Sequence, residues 1–312
     1  MKSCDYCGKE NDVVSVFCAG CGTLLEPPVI RPTPSTALSE PTVAVPEPPV
    51  IVAEPPILVQ AVPPLLPPPP CVLNGGLAMA VFGIYFGAQF LGGIIMGFSV
   101  GFLNGIEGVS RTTSFTDTLR QLLPFTMFLS MILGGIGVFA SAFGFKIPLR
   151  DLSPTGAAWV RGRWRDIVVG LTLGILVAVM WTILFDYVFP SHANERIDPF
   201  SRVTRMPLLS QALWVIAVVF LAPVIEELLF RGIIFGGFRK SLGPVRAGLL
   251  TTLLFVAMHF DRLITYPTAL FGITTLALAA LFMRVRTNAI GPSICLHFGY
   301  NGFITLIMFY FG

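Results

Sequence analysis

The sequence is poor in charge. Charged residues make up 12% of its 312 positions, whereas soluble domains contain about 25%. Hydrophobic residues make up 54% and the mean hydropathy is +0.79, which excludes an ordinary soluble fold for most of the chain. The net charge is only +3 and no block of lysine or arginine occurs, so we expect no nucleic-acid partner. The composition predicts an all-α polytopic membrane protein in contact with the lipid bilayer.

Three further absences limit the function classes. The first twenty-odd residues lack the charged and apolar regions of a secretory signal peptide, so we expect the N-terminus to stay in the cytoplasm. The HExxH motif of many zinc proteases is missing. A second copy of the segment that carries the paired carboxylates is also missing, although ion-coupled carriers are usually built from such repeats.

Residues 1–26 contain two CxxC pairs separated by ten residues: Cys4, Cys7, Cys18 and Cys21. Four thiolates in this pattern can close a tetrahedral zinc site, and metal binding would supply the folding free energy of so short a segment. The pattern predicts a small N-terminal zinc ribbon with one structural zinc. Two disulfides are the alternative, which a reducing cytoplasm disfavours. A cytoplasmic protein is the kind of partner expected for such a ribbon.

Residues 27–72 are rich in proline, with a run of four at positions 67–70. Proline fixes φ and removes backbone donors, so the segment is predicted to be a disordered, extended linker. A ligand for an SH3-type domain is the alternative. Such ligands usually carry several basic residues, and here only Arg31 accompanies the prolines.

Residues 73–312 form the predicted transmembrane domain. Seven apolar runs approach the length of about 20 residues needed to span a bilayer: 77–103, 122–145, 167–189, 208–225 continuing through the carboxylates, 247–260, 267–283 and 290–311. Loops on the predicted cytoplasmic side hold ten basic residues, Arg284 among them, and the opposite loops hold six. This bias supports a multi-pass protein of the cell membrane with a cytoplasmic N-terminus.

The segment LAPVIEELLFRG at positions 221–232 places three charged residues inside an apolar run. Glu227 and Arg231 are four residues apart, so they lie on one helix face and can pair, whereas Glu226 points elsewhere. An ionised group near the bilayer centre costs about 2.5 to 3.5 kcal/mol and usually serves function. One negative charge remains unbalanced. Glu226 is therefore a candidate for proton chemistry, and a structural ion pair with a spare glutamate is the alternative.

Two of the three histidines also fall in apolar runs. His259 lies four residues after Phe255, and His297 lies four residues before Asn301. Polar groups in lipid seek one another, so these side chains are expected to meet the carboxylates. Together they provide a base, a second group to hold water and donors for an oxyanion, which is what peptide hydrolysis requires. The alternatives are a membrane scaffold or immunity-type protein whose working part is the ribbon, and a proton- or cation-coupled carrier.

Three motifs in order, EELLFR, FVAMH and HFGYN, resemble the EExxxR, FxxxH and HxxxN motifs of the CPBP family. These are the CAAX-protease and bacteriocin-processing intramembrane endopeptidases, commonly described with eight membrane helices. The resemblance covers residues 167–312. It implies hydrolysis of a membrane-embedded or lipid-modified protein or peptide substrate, and it raises the expected number of helices to seven or eight.

The resemblance also implies roles for the motif residues. Glu226 and His259 would activate water, His297 and Asn301 would stabilise the oxyanion, and Glu227 would be held by Arg231. Members of the family have also been called metalloproteases, and two histidines with two glutamates offer zinc ligands. Arg231 would occupy Glu227 and repel a dication, so a glutamate mechanism without an active-site metal is favoured.

Overall fold

The computed structural model describes residues 1–3, 10–13, 15, 18, 25, 73–106, 122–147, 149, 164–188, 203–265 and 267–311. The predicted linker, and Cys4, Cys7 and Cys21 of the predicted ribbon, lie outside these residues. In the N-terminal segment, β1 (Lys2–Ser3) pairs antiparallel with β2 (Glu10–Asn11). The Cys18 side chain is buried and lies 3.5 Å from Nδ2 of Asn11.

Besides a short 3₁₀ helix at Val203–Arg205, seven helices follow in the described residues: α1 (Gly75–Ile106), α2 (Leu123–Gly144), α3 (Trp164–Val188), α4 (Leu208–Ala257), α5 (Phe260–Thr265), α6 (Ala269–Thr287) and α7 (Gly291–Phe311). All except α5 are long and apolar enough to cross a membrane. The predicted multi-pass helical architecture is therefore confirmed.

Helix α4 runs for 50 residues but consists of two helices that meet at a kink. The predicted helix 247–260 corresponds largely to the part of α4 after that kink. A break divides α4 at Gly243, whose φ of +74° is the left-handed conformation that glycine tolerates. Pro244 follows and lacks a backbone donor. Six helices are candidate spans by length and composition in the described part of the chain, and the kink separates the predicted run 247–260 from the rest of α4.

Glycines allow α3 and α7 to pack with their backbones in contact. A methyl group at Gly174 would overlap the carbonyl oxygen of Leu296, and one at Gly170 would overlap that of Pro292. From the other side, a methyl group at Gly299 would overlap the carbonyl oxygen of Leu171. Close contact through small residues is a usual way for membrane helices to associate, and here it fixes the helix that carries His297.

Helix α4 holds the paired carboxylates between two π-helical stretches. The α-helical segment Ala222–Glu227 is preceded by Ile216–Leu221 and followed by Leu228–Ile234, both π-helical. Pro223 cannot donate to the carbonyl four residues earlier, which disturbs the regular hydrogen-bond ladder. π-Helical turns occur frequently at functional sites, and this pair brackets Glu226 and Glu227.

Candidate active site

A cavity of about 430 Å³ lies among the helices and is lined by residues from α1 to α7. Four of the six predicted site residues line it: Glu226, His259, His297 and Asn301. Glu227 and Arg231 are fully buried, with 0% of their surface exposed, and are not part of the lining. The structure therefore brings the predicted residues together in two layers, with the ion pair behind the cavity wall.

Glu227 is the centre of the buried layer. Its Oε1 atom lies 3.2 Å from Nη1 of Arg231 and 2.9 Å from Nδ1 of His297. The predicted pairing of Glu227 with Arg231 is confirmed. The contact with His297 joins residues 70 positions apart; the sequence predicted that the histidines meet the carboxylates, but not that His297 binds Glu227. Arg231 also donates from Nη2 to the carbonyl oxygen of Ala277 at 2.9 Å, which ties α4 to α6.

The partners of Nδ1 define the tautomers of the two histidines. Nδ1 of His259 lies 2.8 Å from the carbonyl oxygen of Phe255. A carbonyl oxygen only accepts, so Nδ1 carries the hydrogen, and Nε2 of a neutral His259 presents a lone pair. Nδ1 of His297 donates in the same way to the carboxylate of Glu227. In both rings Nε2 is left for chemistry in the cavity.

Asn301 is fixed by an unexpected contact. Its Nδ2 atom donates to the carbonyl oxygen of Val218 at 2.8 Å, which links α7 to the π-helical turn Ile216–Leu221. One of its two amide hydrogens is therefore used, and the other remains for a ligand. The half-buried Asn301 side chain thus connects the cavity to the first π-helical turn.

Phe255 is a central residue to which the sequence assigned no role. Its ring centroid lies 4.4 Å from Cζ of Arg231, within the range of a cation–π interaction. The same ring lies 4.8 Å from the ring of His259 and 6.0 Å from that of His297. Phe255 thus packs between the buried arginine and both histidines. The only sequence signal was its place at the start of FVAMH.

Arg284 was predicted to lie in a cytoplasmic loop, and this prediction is wrong. It lies in α6 and is fully buried. Its Nε atom donates to the carbonyl oxygen of Arg231 at 3.1 Å, and Nη1 donates to Oδ1 of Asn288 at 3.2 Å. These bonds satisfy a guanidinium that would otherwise be costly to bury. The structure therefore adds Arg284 to the residues that support the ion pair.

The donor atoms at the cavity do not form a three-ligand metal site. Among the described residues, no group of three or more histidine, cysteine, aspartate or glutamate side chains is placed to hold a metal ion. Catalytic zinc sites usually have three protein ligands. In addition, the Glu227 carboxylate is already engaged by Arg231 and His297.

Residues 208–303 match the family model of the type II CAAX prenyl endopeptidases, Rce1-like. All six predicted site residues lie in this segment, which is less than a third of the chain. The match supports the resemblance to CAAX-type intramembrane proteases of the CPBP family. No curated protein and no solved structure is found to be similar.

Proposed function

We propose that this protein is an intramembrane endopeptidase that hydrolyses a peptide bond in a membrane-embedded or lipid-modified protein or peptide. The observation that carries the proposal is that the two adjacent carboxylates lie in different environments. Glu227 is held by Arg231 and His297, whereas Glu226 lines a cavity with His259, His297 and Asn301. A carboxylate outside the ion pair, in a cavity among apolar helices, is suited to act as a base.

In the proposed reaction, the attacking water is held between the Glu226 carboxylate and Nε2 of His259. Both groups are acceptors, so each can bind one of the two water hydrogens. Glu226 takes a proton as the water oxygen bonds to the substrate carbonyl carbon. Glu226 then delivers that proton to the amide nitrogen as the C–N bond breaks, which yields a carboxylic acid and an amine.

The proposed oxyanion donors are the second amide hydrogen of Asn301 and Nε2 of His297. Donation from Nε2 requires a proton on both nitrogens of His297. Glu227, 2.9 Å from Nδ1, is the carboxylate that stabilises this cation. The buried layer thus supports a charge that acts inside the cavity.

We propose that zinc belongs to the N-terminal ribbon, as a structural ion bound by Cys4, Cys7, Cys18 and Cys21, and that the cavity works without metal. The ion pair of Glu227 with Arg231 supports a cavity without metal, because it occupies one of the four candidate zinc ligands, which are two histidines and two glutamates. The protein is proposed to lie in the cell membrane, with the ribbon in the cytoplasm beside a protein partner.

The proposed function is tested by mass spectrometry of membrane proteins from cells that contain either the wild type or Glu226→Gln. At least one membrane protein should accumulate uncleaved in the Glu226→Gln cells. Asp166→Asn is the matched control, because it makes the same chemical change at the start of α3, outside the cavity lining. Identical membrane cleavage products in all three cells would contradict the proposal and favour a non-catalytic scaffold.

A further inference from the structure

The cavity lining also contains a tyrosine from α1. Tyr85 lines the cavity, and only 1% of its surface is exposed. It lies outside residues 208–303, which match the family model. Glu226 belongs to the same lining. The cavity therefore has a buried hydroxyl group in the same lining as the proposed base, and no motif includes it.

Gln89 holds this hydroxyl in place. Nε2 of Gln89, one helical turn after Tyr85, donates to the Tyr85 hydroxyl oxygen at 2.7 Å. Nε2 also lies 3.7 Å from Sδ of Met131 on α2, and Oγ of Ser130 donates to the backbone carbonyl of Gln89 at 3.2 Å. The hydroxyl oxygen of Tyr85 thus acts as an acceptor, which leaves its proton for an acceptor in the cavity.

Helix α2 fixes the orientation of the tyrosine ring. A methyl group at Gly134 would lie 2.9 Å from Cε2 of Tyr85 and 3.1 Å from Cγ of Gln89. At the next residue, a methyl group at Gly135 would lie 2.8 Å from Cδ1 of Ile225, the neighbour of Glu226. Two consecutive glycines therefore let α2 contact both Tyr85 on α1 and Ile225 on α4. The Tyr85 hydroxyl is held by rigid helices, as a preorganised donor must be.

The other proposed donors are partly committed elsewhere. Asn301 uses one amide hydrogen on Val218, and His297 uses Nδ1 on Glu227. Each has one donor position left for the oxyanion. A buried hydroxyl with an available proton supplies a third.

We propose that Tyr85 is a further catalytic residue, which donates a hydrogen bond from its hydroxyl to the substrate carbonyl oxygen as that oxygen becomes an oxyanion. No proton is transferred in this step. Gln89 is a positioning residue that acts through the Tyr85 oxygen. The assignment rests on the proposed function, because it requires a carbonyl to be attacked in this cavity.

The test uses the full chain in lipid nanodiscs and a farnesylated, internally quenched peptide that ends in a CAAX sequence. Tyr85→Phe removes only the hydroxyl and should lower kcat by about 10²-fold with KM unchanged, because the bond forms in the transition state. Tyr310→Phe is the matched control, since Tyr310 lies on α7 outside the cavity lining and is 79% exposed. Its kcat should equal that of the wild type.

A double-mutant cycle separates this role from a structural one. Gln89→Leu should lower kcat in the wild type and have no further effect in Tyr85→Phe, because the group that it positions is already gone. An equal effect of Gln89→Leu in both backgrounds would overturn the assignment. If the Tyr85→Phe protein cannot be purified in a folded state, the kinetics of Gln89→Leu alone test the assignment. A reduced kcat with unchanged KM then supports the proposal, and a wild-type kcat overturns it.

Failure of this proposal is distinguishable from failure of the proposed function. If Glu226→Gln abolishes cleavage while Tyr85→Phe retains the wild-type kcat, only the tyrosine assignment is wrong. If Glu226→Gln changes neither cleavage of the peptide nor the membrane proteins of the cell, both are wrong. If the wild type does not cut the farnesylated peptide, a second probe replaces that peptide. The second probe spans the cleavage site of the membrane protein that accumulates in Glu226→Gln cells.

Discussion

Nδ1 of His297 lies 2.9 Å from Oε1 of Glu227, although the two residues are 70 positions apart. The same oxygen also binds Arg231. This contact gives the two adjacent glutamates different environments, because Glu227 is committed to a buried cluster and Glu226 lines the cavity. The division explains how two carboxylates in one helical turn can have separate tasks.

The Glu227–Arg231 pair should matter for stability. Arg231→Ala leaves the Glu227 carboxylate buried without its arginine, a change that typically costs about 3 to 5 kcal/mol. We expect a lower unfolding temperature in detergent together with lower activity. Arg246→Ala, at an exposed position of the same helix, should melt like the wild type. Equal melting of the two variants would show that the pair does not stabilise the fold.

The contact between α3 and α7 should be sensitive to one methyl group. Gly174→Ala would place a Cβ against the carbonyl oxygen of Leu296, whereas Gly93→Ala on α1 meets nothing within 4 Å. Because both positions are helical, propensity alone would favour alanine at each. We expect Gly174→Ala to lower the unfolding temperature and Gly93→Ala to leave it unchanged or raise it. A Gly174→Ala protein as stable as the wild type would contradict the close backbone packing.

The proposed water-binding and oxyanion groups should differ in their effects on turnover. Asn301→Ala removes one oxyanion donor, a change worth about 10²–10³ in turnover at comparable sites, so residual cleavage should be measurable. His259→Ala removes a group that holds the water and should resemble Glu226→Gln more closely. Steady-state kinetics on the farnesylated peptide separate the two. The reverse order, with Asn301→Ala the more severe, would contradict the assigned roles.

The sequence predicted contacts within a helix better than contacts between helices. The spacing of Glu227 and Arg231 predicted their pairing because residues four apart face the same side of one helix. The Glu227–His297 and Arg284–Arg231 contacts depend on how α4, α6 and α7 pack, and a single sequence does not contain that information. Arg284 was assigned to a loop because buried arginines are rare, and the sequence does not show the carbonyl group that its guanidinium binds.

The kink in α4 and the proposed role of Tyr85 were not predicted for related reasons. Gly243 and Pro244 favour a break in a helix, but the sequence does not show that a second helix begins directly after it. Tyr85 lies in an apolar run where an aromatic residue is ordinary, and its importance becomes visible only when Gln89 and the cavity are placed beside it.

The zinc content of the purified protein should depend on the N-terminal ribbon. Protein lacking residues 1–26 should contain no stoichiometric zinc, because the four cysteines are the proposed ligands. Its cleavage of the farnesylated peptide should persist in the presence of a chelator. Elemental analysis of the purified protein provides the measurement. Stoichiometric zinc in the truncated protein would place the ion at the membrane site and contradict the proposed mechanism without metal.

Glu226 is proposed to be the base that activates water. Glu226→Gln keeps the shape of the side chain and leaves the Glu227 cluster intact, but it removes the proton acceptor. The most direct measurement is the single-turnover cleavage rate of the farnesylated peptide by this variant in nanodiscs, beside its unfolding temperature. We expect the unfolding temperature of the wild type, with cleavage below detection. Cleavage at the wild-type rate by the folded variant would contradict the assignment of Glu226 as the base.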